Sequence, residues 1–89
     1  MNEAIVHPRV HERHPELQDD DVLDAWNNAT VARHRLSDAG DRLVVIGADS
    51  NGRLVEMVAS QLPEGTWVIF HAMTPPSHNT LVELNMVRR

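Results

Sequence analysis

Residues 42–60, RLVVIGADSNGRLVEMVAS, constrain the fold more than any other part of the chain. Two runs rich in β-branched residues, 42–48 and 53–60, flank Asp49-Ser50-Asn51-Gly52, and Asn-Gly between apolar runs favours a type I′ hairpin. An antiparallel pair is therefore expected near the middle of the chain. Two further segments extend it. ATVARHRL (29–36) alternates loosely and leads into the turn SDAGD (37–41), and LPEG (62–65) turns the chain into TWVIFHA (66–72). Plain alternation on this last strand puts Trp67, Ile69 and His71 on one face, with Val68, Phe70 and Ala72 on the other. Gly47 reads as a strand irregularity.

The flanking segments read as helices. In HPRVHERHPEL (7–17), Pro8 fits only a first turn and Pro15 ends whatever precedes it, which leaves room for one short helix. Asp19, Asp20 and Asp21 place negative charge at the start of a second helix, with Asp19 as its expected N-cap. Val22, Leu23 and Trp26 give it an apolar face, and Asn27-Asn28 close it. Residues 1–5 read as a loose terminus. After the last strand, Thr74 is the expected cap of a C-terminal helix with Pro75 in its first turn and Leu81, Leu84 and Val87 on its buried face. The expected architecture is α+β: two short N-terminal helices, a three- to four-stranded antiparallel meander, and a C-terminal helix, with the helices on one face.

An 89-residue chain is expected to form a single domain over residues 1–89. It has no cysteine, hence no disulfide framework or thiolate metal site. No apolar run approaches a membrane span and no signal-peptide pattern opens the chain, so a cytoplasmic protein without membrane contact is expected. All eight basic residues are arginine, against thirteen acids, giving a net charge of -5. Residues 1–41 hold nine acids and four arginines, whereas residues 42–89 hold four of each. Such a chain lacks the broad positive field of a non-specific nucleic-acid binder, so any contact with RNA has to be local.

The residues with chemistry to offer are histidines and arginines: Arg13, His14, Arg33, His34, Arg35, Arg53, His71 and His78. Cleavage of RNA by its own 2′-hydroxyl needs a base, a cation for the non-bridging oxygens and an acid for the leaving 5′-oxygen. Histidine and arginine can supply all three, and no cofactor is implied. The same residues fit blander readings. Arg33 and Arg35 share a strand face that solvent alone would explain, with His34 pointing the other way. His71, at the end of an apolar strand, also fits a structural histidine. His7, His11 and His14 are spaced to share a helical face, but no acid completes a metal site, and none is expected.

The order RHPELQDDDVLDAWNNAT, DRLVVIGADSNGRLVEMV and WVIFHAM resembles the small bacterial type II toxins typified by BrnT, in the branch whose last strand ends in His-Ala-Met. The matching pieces are Arg13-His14, Asp21-Val22-Leu23, Val45-Ile46-Gly47, Gly52-Arg53-Leu54-Val55-Glu56 and His71-Ala72-Met73, spread over residues 9 to 84. The resemblance implies a RelE-like fold and a metal-independent endoribonuclease or translation inhibitor. It also implies neutralisation by a cognate antitoxin, often of ribbon–helix–helix type. It places His14, Arg53 and His71 at the site that meets RNA or the ribosome, with Glu56 as a weaker candidate. From the histidine–arginine set itself, Arg33, Arg35, His34 and His78 are the expected contacts to RNA. Two features depart from the pattern. Met73 stands where better-studied relatives have arginine, and Pro76-Ser77-His78-Asn79 replaces a basic helix opening.

Two readings of different kind follow. The first is the toxin endoribonuclease. The second is the same fold retained as a catalytically silent interaction module, supported by the acidic charge, Met73, and Trp26 and Met86 as exposed apolar candidates. A small-molecule binding domain is a third, supported only by the histidines. A chain this small is also expected to work as a homo- or hetero-oligomer.

Overall fold

A computed structural model describes residues 3–35 and 41–87. The expected turn at 37–41 lies, except for Asp41, outside the described residues. The fold is α+β. Strands β1 (Ala4–Val6), β2 (Ala29–Arg35), β3 (Arg42–Ala48), β4 (Leu54–Gln61) and β5 (Trp67–Met73) form one sheet in the order β1-β5-β4-β3-β2. Helices α1 (Arg9–Arg13) and α2 (Asp19–Asn27) follow β1, and α3 (His78–Glu83) follows β5.

Strands β2 to β5 make the antiparallel meander, because each is joined to the next by a connection too short for a crossover. The sheet nevertheless has five strands and is mixed. Ala4–Val6, whose first two residues belong to the terminus expected to be loose, pairs parallel to β5 with Ala4 opposite Trp67 and Val6 opposite Ile69. Three residues carry no readable periodicity, and a parallel partner more than sixty residues away leaves no local signal.

The helices lie on both faces rather than one. Val10, Leu17, Val22, Ala25 and Trp26 from the N-terminal region pack with Leu43, Val45, Val55, Met57 and Ile69 into one core. Leu84, at the end of α3, packs with Val44, Ile46 and Val58 on the opposite side. Central strands covered on both faces explain why 42–48 reads as a continuous apolar run. Trp26 is not an exposed anchor: it is 1% exposed in the first core, with its ring centroid 6.1 Å from that of Trp67.

One irregularity positions the site. The β4–β5 register shifts after Val58↔His71, so that Ala59 pairs with Ile69. This bulge breaks simple alternation on β5. Ile69 and Ala72 both enter the first core, while Phe70 packs against the second and His71 reaches Glu56. The expected sharing of a face by Ile69 and His71 is thus overturned, since one extra residue inverts the inward/outward parity beyond it.

Local details also differ from expectation. Gln18, not Asp19, caps α2: its side chain accepts from the backbone of Asp21, whose carboxylate accepts from Gln18 N at 3.0 Å. The three aspartates occupy the first turn, where the helix dipole favours them. Ser77 caps α3 and accepts from Thr80 N at 3.3 Å, whereas the Thr74 hydroxyl donates to Leu54 O at 2.7 Å and so stays with the sheet. Leu84 is buried on the C-terminal segment, but Val87 is 39% exposed. The β3–β4 turn is not type I′, which requires two successive residues with positive φ. Only Gly52 (φ 83°) has one there, in a five-residue connection in which Gly52 N donates to Asp49 O at 3.0 Å.

Candidate active site

Arg53 has a local task. The Asp49 carboxylate is buried at the turn and accepts from Asn51 N and Arg53 N, each at 2.9 Å, and from Arg53 Nε at 2.7 Å. Burial raises its pKa, but the bonds from Arg53 and Asn51 outweigh that and hold it below the usual carboxylate value. Arg53 also lies 3.4 Å from Asp21, tying the hairpin to the first turn of α2. It is not among the residues that line the groove around His71.

That groove has an open volume of about 320 Å³. Its floor is β4 and β5, which contribute Glu56, Val58, Phe70 and His71. The walls are arginines: Arg9 and Arg13 from α1, Arg35 from β2 and Arg42 from β3. Thr80 of α3 completes it. Four of the eight arginines in an acidic chain thus converge on one histidine–carboxylate pair.

Glu56 is 5% exposed, and its carboxylate is fully engaged. Oε1 accepts from Ser77 N and from Ser77 Oγ at 2.9 Å each, and Oε2 accepts from His71 Nε2 at 2.7 Å. Burial pushes its pKa up, but the hydrogen bonds from His71, Ser77 and Thr80 more than reverse this and bring it down to about 2. Glu56 is therefore an anion at any ordinary pH. An ionised carboxylate only accepts, so His71 Nε2 carries the proton and Nδ1 holds the lone pair when the ring is neutral. Nδ1 has no hydrogen-bond partner among the described residues.

His14, at the C-cap of α1, stands edge-on to His71 with ring centroids 6.3 Å apart. Both rings are partly open, with side chains 29% and 31% exposed. His14 Nδ1 is 3.6 Å from Glu16. Two residues fifty-seven positions apart are thus brought together by the parallel β1–β5 pairing, which carries α1 to the edge of β5.

Arg35 Nε donates to Glu83 Oε2 at 2.9 Å and NH2 to Oε1, a two-pronged pair with α3. The hydrogen bond to Arg35 lowers the pKa of Glu83, and the same bond raises that of Arg35. Arg33 donates to Glu83 O at 3.3 Å, so the two arginines share the α3 face. His34 lies opposite Leu43 on the other face and is exposed, remote from this set. Arg42 lies over the Phe70 ring, 4.9 Å from its centroid. His78, the first residue of α3, is exposed and lines a separate concavity with Val82, Met86 and Val87. Among the described residues no cluster of three histidine, aspartate or glutamate side chains is placed to hold a metal ion.

Arg9, Arg42, Ser77 and Thr80 join the site without having been expected there. Arg42 had a usable signal, because it begins a strand whose neighbour ends in Arg35. Ser77 had none, since its partner is twenty-one residues earlier in β4. No helix among the described residues is long and apolar enough to cross a membrane. No family model, no curated protein and no solved structure matches the chain.

Proposed function

We propose that this chain is a metal-independent endoribonuclease of the type II toxin kind, acting in the cytoplasm at the His71–Glu56 groove. The single observation that carries the reading is the arginine-walled groove around an accessible histidine whose tautomer is set by a buried carboxylate. His71 Nδ1 takes the proton of the 2′-hydroxyl, whose oxygen attacks phosphorus. Arg9 and Arg13, on the helix whose C-cap is His14, hold the non-bridging oxygens of the scissile phosphate as charge builds. The P–O5′ bond breaks, and protonated His14 gives its proton to the leaving oxygen, leaving a 2′,3′-cyclic phosphate and a 5′-hydroxyl. The order of motifs that resembles BrnT supports a RelE-like fold and a cognate antitoxin, possessing or lacking a ribbon–helix–helix part, as partner. Arg53, bound to two aspartates, serves in this reading as a fold-forming residue.

Induced expression in a bacterial host, following growth and total RNA together, tests this. Growth arrest with RNA loss is expected, and His71→Ala should reduce the cleavage rate of the purified protein at least ~100-fold, the usual scale of a general acid–base group. Normal growth with intact RNA, from confirmed soluble protein, would remove the ribonuclease reading.

A second reading, the silent interaction module, is favoured by one observation. The segment at the end of α3 exposes Met86 at 36% and Val87 at 39%, beside an open concavity of about 1180 Å³. It expects a stable heteromeric complex with a neighbouring small protein and no effect on RNA.

A further inference from the structure

Both arginine pairs that wall the groove break a local rule. Arg9 and Arg13 stand at i and i+4 on α1, where like charges repel across one helical turn. Arg35 and Arg42 are directly opposed in the β2–β3 register, where like charges also destabilise the pairing. Glu83 offsets one member of the strand pair. Neither Arg9 nor Arg13 has an ion-pair partner among the described residues. A chain that otherwise carries excess acid has thus placed two repelling cation pairs on either side of one histidine. Conflicts of this kind between local preference and fold concentrate at functional sites.

The geometry points to a groove that grips two consecutive phosphates of a single-stranded polynucleotide, one on the Arg9–Arg13 pair and one on the Arg35–Arg42 pair, with His71 between them. This rests on reading the groove as a nucleic-acid site and adds what that reading leaves open, the length of strand it recognises. The Arg9–Arg13 pair presents two guanidinium groups to one anion, while beside Arg42 the Glu83-bound Arg35 offers only the N–H groups that Glu83 leaves over. Binding converts the repulsion within each pair into attraction to a shared phosphate. At about 320 Å³ the groove is at the small end of ligand clefts, so it holds one nucleotide unit and the flanking phosphates fall on the walls. Phe70, already covered by Arg42, offers an apolar surface below the strand.

The test uses the full chain and thymidine oligodeoxynucleotides with one, two or three phosphodiesters, which lack the 2′-hydroxyl and cannot be cleaved by this route. Binding is measured by calorimetry over a range of salt. The step from one phosphate to two should tighten binding at least ~10-fold, with a salt slope of about -1.4 for the two-phosphate ligand and little gain from a third. The double variant R9Q/R13Q should bind one- and two-phosphate ligands alike, and R9K/R13K should recover part of the difference. Equal affinity of the unchanged protein for one and two phosphates would overturn the inference, as would an unaltered R9Q/R13Q profile. A triglutamate peptide that binds as tightly as the two-phosphate ligand would overturn it too, in favour of an acidic protein segment. The ribonucleotide versions separate the two ideas. Two-phosphate binding with intact RNA removes the cleavage reading alone, whereas equally fast cleavage of one- and two-phosphate RNA removes this inference alone.

Discussion

Glu56→Ala is expected to destabilise the protein by about 3 kcal/mol, the scale seen when one partner of a buried, hydrogen-bonded pair is removed. The substitution leaves His71 Nε2 and both Ser77 donors without their acceptor, beneath the groove and at the cap of α3. It therefore loosens the sheet, the reactive histidine and the C-terminal helix together. The isosteric Glu56→Gln isolates the charge and gives a distinctive acid profile. In the unfolded chain Glu56 takes up a proton near its ordinary 4.5, whereas the folded protein resists until about 2. Its contribution is fully present above 4.5 and is lost as pH falls towards 2, because there the unfolded state binds the extra proton. The difference corresponds to about 3 kcal/mol at neutral pH. Asp49 and Glu83, also held below their ordinary values, add losses of the same sign. Urea unfolding of wild type and Glu56→Gln from neutral to acid pH should show a clearly shallower acid loss in the variant. Equal slopes would mean that Glu56 is not anchored as described.

The second large effect is expected far from the chemistry. A Cβ on Gly47 would meet the carbonyl oxygen of Ala25 at 1.9 Å and the Ala29 Cα at 3.2 Å. Both are backbone atoms, one in α2 and one at the start of β2, so no side chain can swing aside. Gly47→Ala should cost about 4 kcal/mol or prevent folding, the range reserved for overpacking that backbone cannot relieve. Gly52→Ala is the control. It has open space around it but a left-handed backbone, so its cost should be only about 1–2 kcal/mol. Denaturant midpoints of the two variants decide the matter. A Gly47→Ala protein within about 1 kcal/mol of wild type would show that α2 does not ride this close to β3.

Gly47 also shows what kind of information a linear reading can hold. Glycine in a strand signals either an irregularity or a close backbone approach. Both occur: α2 presses on Gly47, and the partner strand β2 has its register shift between Ala29 and Val31, opposite it. The expected strands 29–36, 42–48, 53–60 and 66–72 each correspond to a described strand within one or two residues, because β-branched runs between Gly- and Pro-marked turns carry their own signal. The capping positions moved by one to three residues, since Gln18 and Ser77 were chosen by contacts with Asp21, Glu56 and Thr80 rather than by intrinsic preference.

Of the candidate site, the sequence by itself determined the residue types and part of their arrangement. Alternation alone puts Arg33 and Arg35 on one strand face and His34 on the other, and the local spacing of α1 sets Arg9 and Arg13 a turn apart. It also determined that any positive surface in so acidic a chain has to be local. The tertiary structure decided which of these residues meet. A three-residue parallel strand brings His14 to within 6.3 Å of His71, and a one-residue bulge turns His71 towards Glu56. Arg53 goes to Asp49 and Asp21, while Arg42 and Arg9 join the groove in its place. The physical reason is the range of the forces involved. Periodicity and turn chemistry act within a few residues, but pairing register, a bulge and a buried carboxylate's choice of donors depend on segments far apart in the chain.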